Sequence, residues 1–294
     1  MLQFEKLELK HIPLLNEYIK YKLDNNCDCT IGGTFIWRDY YGVSYAHKED
    51  MLFFKVDMSD GMEGYCFPLA ENKEKALLTL KEHCSEIGRP LILCSVTDIE
   101  MKYVEKVFTD FEVRVERDKA DYVYNSIDMA EFAGRRYSGQ RNHINKFKKL
   151  YENYTFEEIT EDNLHEVREF FVNYFNTYKK DADSYDEEAG KILEFMDNFK
   201  QYGLFGGFLR VDGNIMAMSV GEIVDDTLYI HIEKADISYH GAYQMIVQCF
   251  AKHYVREGIE YINREDDMGD PGLRTSKMSY HPVRLIDKSD VLVK

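Results

Sequence analysis

No apolar run in this 294-residue chain approaches the roughly 20 residues that a membrane-crossing helix needs, and the opening MLQFEKLELKH has neither a basic start nor an apolar signal core. Neither membrane insertion nor secretion is expected, and the cytoplasm is the expected location. Cysteine is scarce: Cys27, Cys29, Cys66, Cys84, Cys94 and Cys249 lie scattered, mostly inside apolar runs, as reduced core thiols do and a disulfide framework does not. Only Cys27 and Cys29 are close together. With no second pair and no histidine beside them, no metal site is expected. Positive charge is short as well: 37 Lys and Arg stand against 53 Asp and Glu, a formal net charge of −16. That balance argues against a surface built to coat nucleic acid, where phosphate contacts dominate, and leaves room only for a local basic patch.

The chain is rich in apolar and ring side chains. Hydrophobic residues make up 45% and aromatics 14%, with 22 Tyr and 18 Phe, which excludes a disordered chain. The length favours two domains over one.

Helical spacing marks residues 11–22, with Ile12, Leu15, Tyr18 and Ile19 on one face. Residues 34–42, which hold the only tryptophan, Trp37, are expected to pack on the N-terminal sheet. Strands are predicted at 51–56 and 65–69 around a Ser59-Asp60-Gly61 turn. Asn72 should cap a helix with Ala76, Leu77, Leu80, Cys84 and Ile87 on its inner face, ended by Gly88. A buried strand at 91–96, a helix capped by Asp98, and strands at 111–116 and 121–127 complete an α+β or mixed α/β unit.

From Ala133 to Lys149 there are six Arg or Lys and no acid, a reversal of the chain's overall balance. Ser138 can cap a helix there with Ile144, Phe147 and Tyr151 on one side and Arg141, Asn142, Asn145, Lys148 and Lys149 more exposed. It reads as a connecting helix, either simply solvated or a basic wall for an anionic substrate. Beyond it come a strand at 155–159 and a helix from Glu161. Next stand the acidic loop DADSYDEE, a second helix burying Ile192, Phe195, Met196 and Phe199, and strands at 204–211 and 215–224.

Residues 228–262 organise the second half. Alternation over 228–233 places Leu228, Ile230 and Ile232 on one face and Tyr229, His231 and Glu233 on the other, so the polar face can line a cleft. A helix follows, with Gly258 at the expected left-handed end. Its first turn, Gly241-Ala242-Tyr243, offers free N–H groups to an anion, or serves only as a turn. After the next strand, Asn263, Arg264 and Glu265 stand where a strand meets a crevice. Arg274 and Lys277, three apart on a short helix, can point the same way.

NREDDMGDPGLRTSKMSYHPV, taken with GRRYSGQRNHINKF and YHGAYQ, resembles a bacterial family of unknown function related to the catalytic domain of phosphatidylglycerol lysyltransferases, which is similar in turn to the Fem transferases. The element order of the second half is that of the GNAT acetyltransferases, and the first half repeats it in shorter form. The resemblance implies an α+β tandem GNAT-like fold: an N-terminal domain over 1–130, a basic connecting helix over 131–152 and a C-terminal domain over 153–294. It implies transfer of an aminoacyl or acyl group to an amine or hydroxyl, with aminoacyl-tRNA or acyl-coenzyme A as donor. Since no membrane segment is read, a soluble acceptor is expected. GNAT enzymes hold coenzyme A pyrophosphate with a Gln/Arg-x-x-Gly-x-Gly/Ala loop. Ser238-Tyr-His-Gly-Ala-Tyr243 keeps one glycine, and Tyr239 and Tyr243 would crowd that position.

On the same footing Glu233, at the end of the splayed strand, is the expected base and Tyr280 the expected acid. His231 and His281 are alternatives for proton transfer, while Tyr239, Gly241, Ala242, Asn263, Arg264, Glu265, Arg274, Lys277, Arg141 and Asn142 are expected to bind donor or substrate. A catalytically silent relative that binds an anionic ligand or a protein is the alternative function, with a nucleic-acid module a third.

Overall fold

The computed structural model describes residues 1–58, 61–178 and 183–294, the side chains of 183–187 excepted. The chain divides into two compact units: Met1–Asp121 with Asp266–Pro271 and Leu285–Lys294, and Tyr122–Glu265 with Gly272–Arg284. The boundaries expected at 130/131 and 152/153 do not fall at this division. The basic helix, Ser138–Leu150, is part of the second unit, because Ile144 and Phe147 are buried there. Residues 285–294 return to the first unit, where Val291 and Val293 join its core.

The first sheet runs in the order Glu5–Lys6, Ser44–Lys48, Met51–Asp57, Glu63–Cys66, Leu91–Thr97, Lys288–Val293, Phe111–Val115, with Leu69–Ala70 paired to Met51–Asp57. Most neighbours are antiparallel; Glu63–Cys66 and Leu91–Thr97 are parallel. Helix Lys73–Glu86 begins as predicted, with Asn72 Oδ1 accepting the Lys75 N–H at 2.9 Å, and it buries Ala76, Leu77, Leu80 and Cys84 against the sheet, while Ile87, expected on the same face, stands at the C-cap and is exposed. The next helix, Asp98–Val107, is capped one residue earlier than expected. Thr97 holds the cap, and Glu100 reaches back to accept the Thr97 N–H at 2.9 Å. The predicted turn at 59–61 lies partly outside the described residues. The acidic loop does too, although helix Asp183–Asp197 takes in its later residues.

The second sheet follows the order Arg284–Ile286, Asp121–Asn125, Tyr261–Asn263, Thr227–Ala235, Asn214–Val224, Phe205–Val211, Tyr154–Glu158. The strand expected over 121–127 stops at Asn125, whose side chain accepts the Asp128 N–H and caps the short helix Ser126–Glu131. Helix Ala242–Tyr254 packs on the strands with Met245, Ile246 and Phe250 buried. It ends at Val255 rather than at Gly258, which makes the following turn at φ +91°. Tyr137, not Ser138, stands at the cap of the basic helix. Among the described residues no helix is long and apolar enough to cross a membrane.

Candidate functional site

The site begins with a glycine. A Cβ on Gly221 would lie 2.1 Å from the Tyr229 carbonyl oxygen, so only glycine lets strands Asn214–Val224 and Thr227–Ala235 approach so closely there. Gly221 pairs with Ile230 and Val220 with Ile232, which leaves His231 as the extra residue of a β-bulge. The bulge stacks the His231 and Tyr229 rings 6.4 Å apart and nearly parallel, and it brings His231 Nε2 to 2.8 Å from Glu222 Oε1 on the neighbouring strand.

The second step is the parting of two parallel strands. Thr227–Ala235 pairs with Tyr261–Asn263 only as far as Tyr229 and Asn263. Asn263 is fully buried, and its Oδ1 accepts the Glu265 N–H at 2.7 Å, a local turn that carries Glu265 through φ +56°. Glu265 is thereby aimed at His231 Nδ1, 2.7 Å away. Arg264 Nη2 reaches Glu233 Oε1 at 2.6 Å. Two charged bridges therefore span the gap where the strands diverge. The Arg264 guanidinium lies over the Tyr280 ring, 4.7 Å from its centroid. Lys277 Nζ donates to the Arg264 carbonyl at 2.5 Å, and the Tyr124 hydroxyl donates to the Lys277 carbonyl at 2.9 Å.

Burial disfavours charge on His231, but hydrogen bonds to Glu222 and Glu265 outweigh it and hold the imidazole pKa up at about 10. It is an imidazolium at neutral pH, with both nitrogens donating. Burial likewise pushes the Tyr280 hydroxyl up to about 12, against the pull of Arg264, so it stays protonated. Glu222, Glu233 and Glu265 face His231 and Arg264, and the buried Lys277 ammonium lies against the Arg264 carbonyl. Glu233 and Arg264 are each only 10% exposed, yet among the described residues Glu233 Oε2 and Arg264 Nη1 have no hydrogen-bond partner. A buried acceptor and a buried donor left open on one ion pair are costly, and groups that meet a reacting molecule carry that cost. Chemically, the open oxygen can take a proton from an attacking N–H or O–H. The open N–H can donate to a developing oxyanion.

Of the residues singled out in the sequence, Glu233, His231, Tyr280, Asn263, Arg264 and Glu265 meet here. His231 has a side chain 1% exposed and both nitrogens engaged, so it ties the two strands together. His281 is elsewhere, its Nε2 on the Arg136 carbonyl at 3.0 Å. Lys277 turns inward under Arg264, and Arg274 is half-buried. Arg141 donates to the carbonyls of Phe132 and Gly134, which makes it a tie for the chain entering the basic helix, and Asn142 is exposed. Gly241, at φ +83°, and buried Ala242 sit against that helix. A Cβ on Gly241 would lie 2.6 Å from the His143 carbonyl oxygen, so this glycine serves close packing. Tyr239 packs on Tyr151 at 5.3 Å. Glu222 was missed, and the signal that could have found it is the glycine beside it in the middle of a strand.

The family described as "Phosphatidylglycerol lysyltransferase, C-terminal" matches residues 22–290. A conserved protein of unknown function from Bacteroides thetaiotaomicron superposes with a TM-score of 0.90 at 29% identity, covering all of both chains. L-PGS from Bacillus licheniformis superposes with a TM-score of 0.65 at 14% identity over 96% of this chain and 91% of its own, and FemX with 0.62 at 8% over 99% and 97%. These likenesses show the fold, which is the α+β tandem GNAT-like one expected. An uncharacterized protein of Mycoplasmoides gallisepticum is 24% identical over 195 residues, 66% of this chain and 62% of that protein.

Proposed function

The chain belongs to the family of phosphatidylglycerol lysyltransferase C-terminal domains, and from that premise we propose that it moves an aminoacyl group from aminoacyl-tRNA to an amine or hydroxyl. The observation that carries this reading is the buried Glu233–Arg264 pair with one open acceptor and one open donor where the strands part. Glu233 Oε2 takes the proton of the attacking N–H or O–H as the nucleophile bonds to the ester carbonyl carbon. Arg264 Nη1 donates to the oxygen that becomes negative. As the ester C–O bond breaks, the Tyr280 hydroxyl protonates the departing ribose oxygen, and solvent returns the proton balance. His231 holds the parted strands in register.

Two features support a tRNA donor over coenzyme A. Gly241, the glycine retained from the pyrophosphate loop, is used up in packing against the His143 backbone. Lys146, Lys148 and Lys149 stand exposed on the basic helix, in a chain whose overall charge is −16, and can meet a phosphate backbone. A non-catalytic binding module is the second reading, supported by the two side-chain bridges that close the gap.

The test uses tRNA charged with radiolabelled amino acids, an amine acceptor in one arm and phosphatidylglycerol vesicles in the other. Glu233→Gln should lower release of label by about 10²- to 10⁴-fold while tRNA binding is unchanged. Release from the native protein no faster than the blank in both arms, or an unaffected Glu233→Gln variant, would leave the binding module as the better reading.

A further inference from the structure

The first unit encloses a cavity of about 370 Å³, within the range of small-molecule sites, and nothing described so far uses it. Its apolar walls are Val43, Phe54, Val56, Phe67, Leu69 and Met268. The thiols of Cys29 and Cys66 also line it, and burial pushes both upward, so they are neutral.

The charges around these walls are unevenly spent. Lys22 Nζ donates to the carbonyls of Asn26 and Asp28 and to Asn26 Oδ1. Lys288 Nζ, 1% exposed, is bound to Asp121 at 2.7 Å and Asp28 at 3.0 Å. Arg114 bridges Glu116 and Asp290, and Lys119 also lies on Asp290 at 3.3 Å. Each of these lining cations is thus already held by protein oxygens. The opposite holds for Glu100. It is 91% buried and lines the cavity, and its Oε2 accepts the Thr97 N–H. Among the described residues no cation lies within ion-pair distance of it. Burial pushes this carboxyl up to about 8, so it keeps its proton at neutral pH until a cation joins it and draws it into the charged form, and the apolar walls reward a ligand that brings an apolar body with that cation.

We propose that this cavity is a second small-molecule site, which takes an organic cation: a primary ammonium against Glu100 with an apolar stem along Val56, Phe67 and Leu69. The inference stands whether or not the second unit transfers acyl groups.

The probes are n-hexylammonium, 1-hexanol and hexanoate, added to the full chain and followed by calorimetry and thermal melting. Hexylammonium should bind saturably, at least tenfold tighter than hexanol, with hexanoate weaker still. Glu100→Gln keeps an acceptor for the Thr97 cap and so should fold. It should weaken hexylammonium at least tenfold and leave hexanol within about twofold. Val56→Phe, which fills the cavity, should abolish binding of both while its melting stays at or above that of the native chain. Hexanoate binding as tightly as hexylammonium, Glu100→Gln binding it like the native protein, Val56→Phe retaining it, or a folded native chain that binds none of the three would each overturn the proposal.

Discussion

His231 should make the second unit weaken steadily as the solution becomes alkaline. Its unfolded pKa is near 6.5 and its folded pKa about 10, so between these values the native state holds a proton that the unfolded state has released. Stability from this group is complete below pH 6.5 and is lost as pH rises toward 10, at about 1.36 kcal/mol per pH unit. The ceiling is about 5 kcal/mol, and the group is sealed from solvent at 1% exposure, so screening removes little of it. In His231→Gln the side chain keeps its size and can donate to one carboxylate, but it cannot titrate. The variant should be several kcal/mol less stable than the native chain at pH 6.5, and the two stability curves should converge as pH approaches 10. With roughly 2 to 4 °C of melting temperature per kcal/mol for a domain of this size, the native curve should fall relative to the variant by roughly 3 to 5 °C per pH unit. Carbon-13 resonances of the imidazole give the same answer directly, since the ring should remain charged past pH 9. Parallel melting curves, or a ring that titrates near 6.5, would refute the argument.

Two further outcomes follow from close packing and buried charge. Gly221→Ala puts a methyl group 2.1 Å from the Tyr229 carbonyl, so it should abolish the His231 bulge and lower the melting temperature by more than the few degrees a surface change produces; an unchanged melt and an unchanged His231 resonance would contradict this. Lys288→Met leaves Asp121 charged and buried without its cation, which should cost about 3 to 5 kcal/mol by urea denaturation, and pairing it with Asp121→Asn should recover most of that loss.

Much of the site was legible because it follows short-range rules. The alternation in 228–233 put His231 and Glu233 on one face, and the polar run after the last parallel strand pointed to Arg264 and Glu265. The partners were not legible. Strict alternation cannot show that His231 is an inserted residue, because the bulge is fixed by the pairing of Gly221 with Ile230 across the sheet. Lys234 stands next to Glu233 in the sequence and is the nearest cation along the chain. Lys234 instead binds Glu188 at 2.6 Å, and Arg264, 31 residues away, takes its place. Lys277 and Arg141 looked like cations for a ligand because composition counts charges but not the backbone carbonyls that satisfy them. Strand Lys288–Val293 went unread, since it opens with a lysine and carries an aspartate, both buried by contacts far away in sequence. The first unit's cavity left no motif, as its lining is gathered from residues between Lys22 and Asp290.

The placement of strand Lys288–Val293 also orders events during synthesis. It lies between Leu91–Thr97 and Phe111–Val115 and pairs antiparallel with both. Until residue 293 has been made, those two strands have no neighbour on their facing edges, and the buried Asp121 has no ammonium to meet. Although its other strands are translated early, the first unit is the later of the two to be completed. A nascent chain carrying an open sheet for that long presents unpaired edges to its surroundings, so this unit depends on protection while the polypeptide is being made.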